Sequence, residues 1–109
     1  MKLVIAIVQN DDSSALSDAL REQNYPSTLI STTGGFLREG NATFLVGVNE
    51  DQLEGLLKLI KETCRIRTQL VNPMPPVVEP GELYLSQPVE VQVGGATVFV
   101  IDVQQFEKF

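Results

Sequence analysis

The sequence predicts an α+β fold: one antiparallel sheet with two helices packed on a single face. Three observations lead there. The chain has 109 residues, enough for one core and too few for two independent ones, so it is read as a single domain over 1–109. Its apolar patterning switches between strand and helix periods in the order β-α-β-β-α-β, the ferredoxin-like split βαβ pattern, with an added β-hairpin. Its first block, Leu3–Val8, is apolar at every position, as in a central strand covered on both faces. Two helices cover one face of a sheet, so the apolar character of the other face predicts that a second copy of the chain covers it.

Each element has its own signal. After Leu3–Val8, the residues Asp11, Asp12 and Ser13 offer N-cap side chains and first-turn acids. Ala15, Leu16, Ala19 and Leu20 then recur at helical spacing, and the helix is expected to end near Asn24 because Pro26 cannot continue it. Ser27–Thr33 is a β-branched stretch stopped by Gly34–Gly35, and Ala42–Val48 reads as the next strand. Asn49, Glu50 and Asp51 open a second helix whose stripe is Leu53, Leu56, Leu57, Ile60 and Cys64. Arg65–Val71 reads as a short strand, and 72–88 as one long proline-rich loop. Val89, Val91 and Val93 alternate with polar residues. Gly94–Gly95 then reads as a two-residue hairpin turn returning into Ala96–Val103. Phe106 and Phe109, three residues apart, suggest a helical turn packed on a neighbour.

Composition narrows the function. Without a single histidine the chain lacks the usual general base and the commonest transition-metal ligand, and no paired-acid motif replaces them. One cysteine, Cys64, permits neither an internal disulfide nor a cysteine-rich zinc site; it reads as a buried structural thiol in a reducing, cytoplasmic setting. A catalytic role, a cofactor and a metal site are therefore not expected. The formal net charge of −6, with 8 basic residues scattered among 14 acids, argues against DNA, RNA and anionic membranes. A small anion can still be held by backbone N–H groups and a few local side chains. No apolar run approaches the roughly 18 residues of a membrane span, and MKLVIAIVQNDD reads as a first strand, not a signal peptide.

The stretch TLISTTGGFLREGNATFLVG, residues 28–47, holds the parts of a nucleotide site. Gly34 and Gly35 let the backbone approach a phosphate, and Thr28, Thr32 and Thr33 bring hydroxyls. Phe36 has a flat apolar face for a purine, Asn41 can form paired hydrogen bonds to a base edge, and Arg38 is the nearest cation. The same pattern also serves as an ordinary connection between two strands.

MKLVIAIVQNDD, TTGGFLREGNATFLVGV and VEVQVGGATVFV occur in that order along the chain. Together they resemble the PII-like cyclic di-AMP receptor family over essentially its whole length. The resemblance implies a ferredoxin-fold homotrimer without catalytic activity, which binds cyclic di-AMP in clefts between subunits and passes a loop rearrangement to a downstream protein. It implies ligand contacts at Asn24, Thr28, Gly35, Phe36, Leu37, Asn41 and Gly47. Gly94 and Gly95, within the Val93–Thr97 stretch, would approach the site across the subunit boundary. The sequence departs from the family at Pro26, where members often carry an arginine that helps to hold phosphate. Losing such a charged contact costs on the order of 1.5–3 kcal/mol, which Arg21 or Arg38 would have to offset. Pro26 therefore motivates a second reading, a trimeric interaction adaptor whose nucleotide site is weak or altered, taking ATP, ADP or nothing.

Overall fold

The computed structural model describes residues 1–32, 40–71 and 88–109. Its elements are β1 (Lys2–Gln9), α1 (Asn10–Glu22), β2 (Ser27–Thr32), β3 (Asn41–Val48), α2 (Glu50–Thr63), β4 (Arg67–Val71), β5 (Val89–Val93) and β6 (Ala96–Asp102). The main sheet has the order β2-β3-β1-β6 with every neighbouring pair antiparallel, and β4 and β5 form a separate antiparallel ribbon. The βαββαβ connectivity is thus present, with β6 as the last strand and the ribbon inserted between α2 and β6.

One face of the sheet makes the core. Val4, Ala6 and Val8 of β1 and Ala42, Phe44, Val46 and Val48 of β3 meet Leu16 and Leu20 of α1 and Leu56, Ile60 and Cys64 at the end of α2. Phe44 alone, fully buried, contributes about 2–3 kcal/mol by leaving water. α1 ends at Glu22. Two residues on, Asn24 takes the left-handed conformation (φ 61°) that asparagine tolerates better than most side chains, and the chain turns into β2. α2 begins where the Gln52 side chain accepts the Asn49 N–H at 3.1 Å, satisfying one donor at the helix entry.

Four sequence expectations bear on this fold, and three of them need correction. First, two helices cover one face of Leu3–Val8, as expected within one chain: Val4, Ala6 and Val8 are buried, while Leu3, Ile5 and Ile7 are only half-buried. Register extends that open face into rows, Thr28–Leu45–Ile5–Phe99 across all four strands and Gly47–Leu3–Ile101 beside it. Secondly, Gly94–Gly95 is not a hairpin turn. β5 pairs with β4 through Arg67↔Val93, and β6 pairs with β1 through Val8↔Ala96, so the two glycines carry the chain from one sheet to the other. Pairing β6 with β1 gives the central strand its second neighbour, which a β5–β6 hairpin standing apart would not.

Thirdly, α1 starts at Asn10 with Gln9 as its N-cap and no side-chain cap. Asp12 turns inward, on one stripe with Leu16 and Leu20. Finally, the tail after β6 has no helical turn; Phe106 is 64% exposed and Phe109 fully so, because so short a segment holds a helix only against a packing surface.

Candidate functional site

The predicted contact residues fall into two groups at opposite ends of the main sheet. Asn24, Thr28 and Gly47 lie where α1 delivers the chain to β2. Ser27 pairs with Val46 and Thr28 with Leu45, so Thr28 and Gly47 are diagonal neighbours on the open face, and all three residues are exposed. A side chain at Gly47 would meet nothing within 4 Å, so its surroundings are open space. Asn41 starts β3 at the other end, half-buried and opposite both Gln9 of β1 and Thr32 of β2. At about 3.3 Å per residue, roughly 20 Å separates Asn41 from Gly47. Gly35, Phe36 and Leu37 lie outside the described residues, as do Arg38 and the bulk of the long loop, 72–87.

Gly94 and Gly95 belong with the Asn41 end. The Gly94 N–H donates to the Gln9 Oε1 at 2.8 Å, and the Gly95 N–H donates to the carbonyl of Cys64. Both have φ in the left-handed region, +83° and +89°. A Cβ at Gly94 would come within 2.4 Å of the Arg65 carbonyl oxygen and 2.7 Å of an Arg67 guanidinium nitrogen. Glycine is required here both by conformation and by close approach. The bottom of the ribbon is pinned next to it: Arg67 donates to the Asp12 carboxylate at 2.8 and 3.4 Å, and to the Arg65 carbonyl at 3.3 Å. Asp12 is only 4% exposed, and the guanidinium supplies the charge and donors its burial demands. The hydrogen bond from Arg67 to Asp12, then the carboxylate's charge, raises the arginine pKa.

Sequence reasoning missed Gln9, Asp12 and Arg67, since their partners lie 55 and 85 residues away. Asp12 did leave a signal: an acid four and eight residues before Leu16 and Leu20 sits on the core stripe and needs a cation. Cys64 is buried as expected, and burial, helped by the Asp12 charge, pushes its thiol up to about 11. An apolar cleft of about 320 Å³ opens beside it between α2 and β6, lined by Leu57, Ile60, Cys64, Ile66, Gly95 and Val98. Of the predicted contact residues that are described, only Gly95 lines it. Among the described residues no group of three or more His, Cys, Asp or Glu is placed to hold a metal, and no helix is long and apolar enough to cross a membrane.

A ferredoxin-like sheet with an inserted ribbon, its glycine junction held by backbone and side-chain hydrogen bonds, defines a small α+β scaffold. A family model described as cyclic-di-AMP receptor matches residues 1–109, and the chain belongs to that family. The chain is also similar to a crystal structure of a functionally unknown protein from Pediococcus pentosaceus ATCC 25745, with 44% identity and a TM-score of 0.79, covering 99% of this chain and 96% of that one. A DUF3240 family protein from Shewanella baltica OS155 superposes with a TM-score of 0.61 at 18% identity, over 99% of this chain and 94% of that one, a likeness of fold alone.

Proposed function

We propose that residues 1–109 act as one PII-like signal-transduction domain that binds cyclic di-AMP at clefts between the subunits of a homotrimer and catalyses no reaction. The observation that carries this reading is the family match over the whole chain. The two-ended distribution of the contact residues supports the intersubunit part. One chain holds Asn41 and Gly94 at one end of its sheet and Asn24, Thr28 and Gly47 at the other. A compact ligand touching both groups is served most simply where one end of one copy meets the opposite end of another.

In this reading Phe36 stacks on an adenine, and Leu37 flanks it. Asn41 and the Gly47 backbone recognise the base edge, while Thr28 and the Gly34–Gly35 amides hold phosphate. Gly94 and Gly95 approach across the subunit boundary together with Asn41, which shares their end of the sheet, to meet Thr28 and Gly47 of the adjoining copy. Arg21 is the cation one turn before Asn24; its guanidinium is exposed and, among the described residues, pairs with Asp18 at 3.4 Å, which supports its offsetting the charge that Pro26 lacks. The complex works in the cytoplasm by offering a rearranged surface to a downstream protein.

A thermal-shift screen against cyclic di-AMP, cyclic di-GMP, ATP, ADP and AMP tests the ligand, because a ligand that binds only the folded state raises Tm. Cyclic di-AMP is expected to give the largest shift, abolished by Phe36→Ala. Pro26, exposed and without an N–H to donate, favours the adaptor with a weak or altered site as the second reading. A larger shift with ATP or ADP, or none with any nucleotide, would support it.

A further inference from the structure

The corner where β1 passes into α1 touches both the Asn41 end of the proposed site and the base of the β4–β5 ribbon. On one side, the Asn10 N–H donates to the Gly40 carbonyl at 3.1 Å, and Gln9 is the register partner of Asn41. Gly40 lies so close that a Cβ there would run into the Asn10 side-chain amide. On the other side, Gln9 accepts the Gly94 N–H at 2.8 Å and Asp12 accepts Arg67 at 2.8 Å. Arg67 and Val93 are the pair at the base of the β4–β5 ribbon, whose other residues are all exposed.

We propose that Gln9, Asn10 and Asp12 form the mechanical link between the Asn41 end of the nucleotide site and the β4–β5 ribbon. The proposal rests on the reading of Asn41 as a ligand contact. The ribbon cannot leave its seat without stranding the buried Asp12 carboxylate, so its base follows the corner and does not drift independently. A displacement of Gly40–Asn41 moves the corner through the Asn10 hydrogen bond and the strand register, and the corner moves the ribbon through Gly94 and Arg67. Gln9, Asp12 and Arg67 are positioning residues: they set the direction of the ribbon and the seat of the Gly94 junction without touching the ligand. Coupling of this kind needs contiguous contacts, and among the described residues Gln9, Asn10 and Asp12 supply them on both sides of the corner.

The test is amide hydrogen exchange on the full chain, at one protein concentration, with and without cyclic di-AMP. Without ligand, Arg67→Ala should speed exchange at both Gly94 and Asn10 by roughly tenfold or more, while α2 amides stay within about twofold; Arg67→Lys should do the same to a smaller degree. Faster exchange at Gly94 with Asn10 unchanged would overturn the link, whatever the ligand does. Should Arg67→Ala unfold, Gln9→Ala gives the converse measurement: the β4–β5 ladder amides should exchange faster, and an unchanged ladder overturns the proposal. With ligand, wild-type ribbon amides should gain protection that Gln9→Ala loses while calorimetry still detects binding. If protection persists in Gln9→Ala, the link is refuted and the nucleotide reading survives. If the ligand-free response holds but wild type binds no cyclic di-AMP, the nucleotide reading falls and the link stands.

Discussion

Removing Arg67 leaves the Asp12 carboxylate buried without the guanidinium that neutralises it. The Arg67 side chain is 40% exposed while Asp12 is buried, so Arg67→Ala should lower the urea midpoint, at fixed protein concentration, by more than loss of an exposed pair does. The Lys2–Asp102 pair, whose carboxylate is exposed, adds little by comparison. Cys64 gives a pH signature. Burial raises its thiol from 9.0 to about 11, so between those values the folded chain keeps a proton that the unfolded chain releases. Stability from this group is complete below pH 9 and is lost as pH rises towards 11. Cys64→Ala should flatten that part of the stability profile, even though the cavity it leaves lowers the profile overall. The burial of Cys64 was legible in its helical spacing. Its electrostatic neighbour Asp12 was not, because nothing local relates residue 12 to residue 64.

The elements themselves were largely readable because each has a local cause: the period of α2, the Asn49–Asp51 helix entry, and the proline that excludes helix after Asn24. The partner of each strand was not. Val89–Val93 looks like one arm of a hairpin around Gly94–Gly95, yet β6 pairs along β1 as the edge strand of the main sheet and leaves β5 to β4. The glycines then serve as a junction, and substitution separates that role from a ligand role. Gly94→Ala meets both a positive φ and the Arg65 carbonyl, and should cost about 1–3 kcal/mol and loosen the ribbon. Gly47→Ala has room for its methyl group and should stay within about 1 kcal/mol of wild type. If the Gly47 backbone approaches the ligand, the same substitution weakens nucleotide binding at least tenfold, so a stable variant with intact affinity would remove Gly47 from the site.

For the molecule as a whole, the unpaired sheet face carries the assembly prediction. Ile5, Leu45 and Phe99 align in one row across three strands, with Phe99 52% exposed, and such a face is costly to leave in water. Ile5→Glu or Phe99→Glu should shift the sedimentation coefficient from that of the proposed trimer to that of a single chain; a wild-type trimer that either variant leaves unchanged would place the interface elsewhere. The sequence indicated that this face needs a partner, through apolar residues on both sides of β1. It could not show that the predicted contact residues that are described divide between two ends of the sheet, because that follows from strand order and register. The division makes the ligand and the assembly one question, which calorimetry addresses directly. Titration of wild-type protein with cyclic di-AMP should give saturable heat, one ligand per chain, and an affinity tighter than millimolar. No heat, or an affinity weaker than millimolar, would contradict the central claim that this chain is a cyclic di-AMP receptor.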